Sequence, residues 1–238
     1  MQAKASDHSA SWLRRWADPA LTVLAIELAI TIFLITPLGL LARDSGLVVV
    51  LLVLSFVVAP VLLAALLVAS SSGPALAVAF AAVGFIAAGS LLELRRPSVL
   101  VTSLSLAGVT LLGGALIGVV ARAVFAPGRV TYHRLVGTLV LYLLIGTTFA
   151  GIYGTLGVLV PHPFRGMPPR EDAPAVIAHV LYFSFVTLTT AGYGDVVPTQ
   201  ALTRGLSNLE AVVGQLFPAT VIARMVTLEL AGRDRSLE

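Results

Sequence analysis

The sequence predicts an all-α, polytopic membrane protein, and three observations carry that expectation. Of the 238 residues 58% are hydrophobic and only 11% are charged, and the mean hydropathy is +0.98. A soluble domain of this length has too small a core to hide so much apolar surface, so the surplus needs lipid as its solvent. The apolar residues also fall into runs long enough to cross a hydrocarbon layer of about 30 Å at about 1.5 Å per residue. Clusters of Gly, Pro, Ser and charged residues separate the runs. Inside lipid, helices are the only open-chain form that satisfies its own backbone.

In chain order, residues 1–19 are polar, with Arg14 and Arg15 between Trp12 and Trp16, and fit a cytoplasmic or interfacial N-terminus. Residues 20–42 are too long for the apolar core of an export signal and lead to no small-residue cleavage site, so they are expected to remain as an anchor. Residues 47–69, 75–92 and 98–121 complete a four-helix transmembrane domain over 20–126. Residues 98–121 hold no Lys or Arg, whereas a voltage sensor needs several spaced charges, so none is expected here. Gly114-x-x-x-Gly118 and Ala150-x-x-x-Gly154 are expected to let helices approach closely. Glu27, deep in the first span, is expected to pair with Arg122 at the same inner level, and Glu210 is expected to face protein rather than lipid. The sequence gives neither acid a further role.

Residues 127–238 read as a second unit. An outer helix over 135–160 leads into a turret over 161–173, a loop marked by Pro161, Pro163, Pro168 and Pro169. Pro174 suits the first turn of a helix, with Asp172 beside its positive end. That helix, 174–188, is about 22 Å long, too short to span, and is expected to be re-entrant. An inner helix over 202–226 closes the unit. Basic residues favour cytoplasmic N- and C-termini: Lys4, Arg14, Arg15, Arg122, Arg129, Arg134, Arg224, Arg233 and Arg235 outnumber those on the outer flanks, where Arg95-Arg96 is the local exception.

Several chemistries are excluded. There is no cysteine, and His8, His133, His162 and His179 include no pair at metal-ligand spacing. Phosphate-binding, nucleophile-elbow and dinucleotide motifs are absent, so neither an enzyme nor a cofactor is expected. The small, dispersed net charge of +3 is no nucleic-acid footprint.

The chemistry concentrates in Thr187-Leu188-Thr189-Thr190-Ala191-Gly192-Tyr193-Gly194-Asp195. Polar, irregular backbone follows a helix that does not leave the membrane, and such backbone is tolerated at depth only where it lines a watery or ionic path. Glycines at alternate positions allow successive carbonyls to point one way, and the negative end of the preceding helix favours a cation there.

This segment resembles the selectivity filter of the potassium channel family, usually Thr-Val-Gly-Tyr-Gly, with Ala191 in place of valine. The resemblance runs from about Leu135 to Leu230. It implies that the carbonyls of Thr190, Ala191, Gly192 and Tyr193, with the Thr190 hydroxyl, coordinate K+. Gly194 closes the motif, Tyr193 braces it, Asp195 sits at the outer mouth, and Thr189, Asp195, Tyr182 and Phe183 support it. Tyr182-Phe183 stands where many relatives carry two tryptophans; Tyr182 keeps a donor that can reach Asp195, and Phe183 has none. Gly214 and Pro218 occupy the gating region of the inner helix. One filter per chain implies a homotetramer in the plasma membrane passing K+ down its gradient, with K+ as permeant ion and the regulatory partner unknown. Two alternatives stand beside this reading: a potassium transporter subunit, and a non-conducting assembly or regulatory membrane protein that retains the motif.

Overall fold

The computed structural model describes residues 22–35 in part, 73–93, 99–125, 132–169 and 173–234. A short apolar helix, Leu24–Phe33, widens into a π-helical turn at Thr31–Ile35. Among the described residues five longer helices follow: α1 Gly73–Glu93, α2 Val99–Val124, α3 Tyr132–Leu159, α4 Ala173–Leu188 and α5 Ala201–Asp234. Two short strands, β1 Phe164–Arg165 and β2 Val197–Pro198, stand on either side of α4 in the sequence.

The helices pack in chain order, α1 on α2, α2 on α3, α3 on α4 and α4 on α5. One core joins Leu24, Leu28, Ala82, Ile86, Leu112, Leu116, Val120, Val140 and Leu144, so the short N-terminal helix is buried with α1, α2 and α3. At the α2–α3 contact the backbones approach through Gly113, where a Cβ would lie 2.2 Å from the Thr148 hydroxyl, and Gly151, where it would lie 2.7 Å from that of Thr110. The expected pair Gly114/Gly118 meets nothing within 4 Å, whereas Gly154 does abut Leu106 at 3.0 Å. The close approach on α2 therefore sits one residue before the expected position.

Among the described residues three helices are long and apolar enough to cross a membrane, at Ser103–Arg122, Arg134–Leu159 and Ala201–Thr227. The expected spans 75–92 and 98–121 correspond to α1 and α2. The segment 1–19, the span 47–69, Glu27, Arg95, Arg96 and Arg129 lie outside the described residues, as does the end of the first span. Up to its last turn, which holds Arg122, α2 carries no basic residue.

Two boundaries differ from expectation. The inner helix does not stop at Val226 but runs on to Asp234, through Gly214 and Pro218 as one element. The turret is not merely a loop: Phe164 pairs with Pro198 and Arg165 with Val197 in an antiparallel ladder.

Candidate functional site

Helix α4 ends at Leu188, whose side chain is fully buried, and the chain turns sharply beyond it. Thr189 N–H donates to the Phe185 carbonyl at 3.0 Å and Thr190 N–H to that of Thr187 at 2.9 Å. The next two amides, Ala191 and Gly192, both donate to the Val186 carbonyl, at 2.9 and 3.3 Å. In a trans peptide the carbonyl lies opposite the N–H of the same unit, and no peptide bond is cis. The carbonyls of Thr190 and Ala191 share those units and so point away from α4. Among the described residues, no backbone amide donates to the carbonyls of Thr190, Ala191, Gly192 or Tyr193.

The backbone turns left-handed at every second position: φ is 59° at Thr190, 58° at Gly192 and 79° at Gly194. Glycine adopts this conformation freely. For a β-branched threonine it costs on the order of 1–3 kcal/mol and persists only where the surroundings over-determine it. Residues 189–195 are all exposed, and the Tyr193 side chain is 73% exposed. A row of unpaired carbonyls at the negative end of a helix can replace the water around a cation. No cluster of His, Cys, Asp or Glu suited to a metal ion occurs among the described residues.

Three structures support this segment. At its outer end the Tyr182 ring stacks on Tyr193, with centroids 6.4 Å apart and planes 9° from parallel. The nearby Tyr182 hydroxyl also holds the Asp195 carboxyl below the usual carboxylate range, aided by the Val196 amide, which donates to Oδ1 at 3.0 Å.

The turret is strapped to the chain just beyond. Thr199 N–H donates to the Pro163 carbonyl at 3.0 Å, the Thr203 hydroxyl to the same carbonyl at 3.1 Å, and the Thr199 hydroxyl to that of His162. Gly166, at φ 85°, lets the turret touch the Asp195 carbonyl, since a Cβ there would stand 2.0 Å from that oxygen.

Behind the segment, Tyr153 of α3, Phe164 of β1 and Phe183 of α4 meet edge to face, with centroids 5.0 to 5.6 Å apart. Below them Glu210 of α5 is fully buried. The Tyr153 hydroxyl donates to its Oε2 at 2.6 Å, and its Oε1 lies 2.5 Å from the Ser184 hydroxyl. Helix α5 also reaches α4 through Gly214, where a Cβ would fall 1.8 Å from the Leu188 carbonyl. Tyr142 of α3 donates to that same carbonyl at 3.3 Å.

The expected site residues thus separate. Thr189 to Asp195 form one exposed segment with Tyr182 beside them, whereas Phe183 turns into the aromatic cluster behind. Gly214 lies against the base of the segment, and Pro218, a turn further on, is exposed. Glu210 faces protein, as expected. His179 spends Nδ1 on the Ala175 carbonyl at 2.8 Å. Tyr153, Ser184 and Gly166 are supporting neighbours of the segment that the sequence does not mark out. Only Gly166 leaves a local signal, a glycine in a proline-rich stretch.

Residues 137–229 match the family model described as an ion channel. Among curated proteins the chain is similar to Protein LctB of Bacillus caldotenax, 36% identical over 87 residues, covering 36% of this chain and 64% of the relative. It is also similar to Protein LctB of Geobacillus stearothermophilus, 34% identical over 86 residues, covering 35% of this chain and 62% of that one. The chain therefore spans just under two thirds of the length of these relatives. No solved structure matches it significantly.

Proposed function

We propose, for an integral membrane protein whose residues 137–229 form an ion-channel domain of the potassium-channel type, that the chain is one subunit of a homotetrameric, potassium-selective channel. The observation that carries the proposal is the exposed run of unpaired carbonyls from Thr190 to Tyr193 on a backbone of alternating hand. One such run supplies only a quarter of an ion's shell; four copies around an axis complete it, and cyclic closure follows. In the assembled pore these carbonyls and the Thr190 hydroxyl bind K+ as permeant ion. Tyr182 and Asp195 brace the mouth, and Gly194 lets the backbone leave the axis.

The termini face the cytoplasm of the plasma membrane, and conduction is passive. With no basic residue in α2 before Arg122, opening carries little voltage dependence. Pro218 has no N–H, so the Gly214 carbonyl lacks its helical donor and α5 bends most easily there. That is the proposed gate.

Potassium and sodium fluxes from purified protein in lipid vesicles test this reading. Potassium flux should exceed sodium flux by an order of magnitude or more. Equal fluxes would contradict a selective filter. Uptake driven against a potassium gradient would favour a transporter subunit, and absence of flux a non-conducting assembly protein.

A further inference from the structure

We propose that Glu210 carries a proton and, as a neutral acid, acts as the positioning residue that fixes the pore helix α4 between the outer and inner helices. The hydrogens available at the site decide its state. Three oxygen–oxygen contacts of hydrogen-bond length meet there. They are Tyr153 Oη to Glu210 Oε2 at 2.6 Å, Ser184 Oγ to Glu210 Oε1 at 2.5 Å and Ser184 Oγ to the Gly146 carbonyl at 2.7 Å.

Tyrosine and serine each bring one hydrogen, and the carbonyl brings none. An ionised Glu210 therefore leaves three contacts with two hydrogens, and Ser184 would face two acceptors at once. A proton on Oε1 completes the set. Tyr153 then donates to Oε2, Oε1–H donates to Ser184, and Ser184 donates to Gly146.

The surroundings agree with this count. Tyr153, Ser184 and Glu210 are all fully buried, where an uncompensated carboxylate is costly. Among the described residues the titratable groups that face Glu210 are both on α3: Tyr153 in contact and Tyr142 within electrostatic reach. From α4 it meets Ser184, which does not titrate, and no cation of the described residues acts on it.

The proton chain joins three helices at the point where they must hold the filter. It runs from α5 through Glu210 to α4 through Ser184, and on to the backbone of α3 at Gly146. Ser184 lies one turn before Leu188, so its anchorage sets where α4 delivers the exposed carbonyls.

The test compares Glu210→Gln with Glu210→Leu in the purified full chain. Glutamine keeps one acceptor for Tyr153 and one donor for Ser184 and does not titrate, so it copies the neutral acid. Leucine leaves the Tyr153 hydroxyl without its acceptor and Ser184 with only its bond to the Gly146 carbonyl. At neutral pH the wild-type minus Glu210→Gln infrared difference should show the carbonyl stretch of an un-ionised carboxylic acid. Glu210→Gln should hold the thermal midpoint near the wild-type value. Its potassium-to-sodium permeability ratio should stay within about twofold of the wild-type value, while Glu210→Leu melts lower, because a buried donor has lost its acceptor, and loses a larger part of that ratio.

Carboxylate bands in place of the acid band would overturn the proposal. So would a glutamine variant that falls as far as the leucine one. Should Glu210→Leu not assemble, the wild-type and glutamine arms still decide. The permeability readout rests on the channel reading above; if no ion passes at all, that reading fails, while the infrared band and the melting order still judge Glu210.

Discussion

Helices α3 and α5 are both apolar enough to cross a bilayer, yet the chain treats them differently. In the span Arg134–Leu159, 56% of the most apolar stretch is buried within the chain, against 17% in Ala201–Thr227. Helix α3 has its own neighbours, α2 on one side and α4 on another. Among the described residues the buried side of α5 is a narrow stripe, Thr203, Ser207, Glu210, Gly214 and Val221, flanked by the half-buried Leu206, Phe217 and Met225. It leaves Leu202, Leu209, Val212, Leu216 and Ile222 exposed.

That stripe is mostly polar or small. Hydrogen bonds and close backbone approach therefore share the attachment of α5 with a few apolar contacts, those of Leu206, Phe217 and Met225, and most of its large apolar side chains face outward. The exposed carbonyls are the polar counterpart of that outward apolar surface.

Substitutions can test this contrast. The largest effect is expected from Phe183→Ala, which empties the aromatic cluster between α3, α4 and the turret. It should cost about 3–5 kcal/mol in a denaturant titration. Because the loss lies inside one chain, it should be the same in dissociated and assembled protein. A loss seen only in the assembly would place this cluster with the interface instead.

Next comes Gly214→Ala. Its Cβ would meet the Leu188 carbonyl, which is backbone and yields little, so about 1–3 kcal/mol of stability should be lost. Gly205→Ala on the same helix meets nothing within 4 Å and should stay within about 0.5 kcal/mol. Thermal melts of the two variants show whether α5 is held by close backbone approach. Similar midpoints would refute it. As this contact lies directly beneath the exposed segment, in the proposed channel Gly214→Ala should also alter opening more than ion preference in current recordings.

How far the sequence reveals these features depends on the range of each signal. The helices α2 to α5 are legible because apolar length and punctuation are local properties. The exposed segment 189–195 is legible because its residue types sit together in the chain. The turret ladder is not: two-residue strands flanked by prolines have no alternation to read. The choice of Gly113 over Gly114 is also hidden, since adjacent glycines differ only by about 100° of helix rotation, which an apolar run cannot fix. The sequence turns Glu210 toward protein, but its partners Ser184 and Tyr153 stand far off along the chain, and only the packed fold brings the three together.

Two smaller effects probe the exposed segment itself. Ala191→Val adds apolar volume where the family resemblance expects a side chain packed behind the filter, worth about 1 kcal/mol if the space is free. It should slow inactivation at low external potassium and leave the permeability ratio nearly unchanged. Recordings at low and high potassium check this, and equal inactivation would show that the neighbours already fill the gap.

The smallest effect concerns Asp195, which the Tyr182 hydroxyl holds below its ordinary value of 3.8. Because the folded value is the lower one, this contribution is present above pH 3.8 and lost as pH falls through the lowered value. Tyr182→Phe should move that acid transition upward, toward the ordinary value. An acid melting series on both proteins would register the shift, and coincident transitions would remove Tyr182 from the mouth.

The proposed channel stands or falls on whether the exposed carbonyls and the exposed flank of α5 are completed by copies of the same chain. Native mass spectrometry of the conducting protein, released from mild detergent, reads this directly. A complex of four chains is expected. A monomer or dimer that retains selective potassium conduction would contradict it.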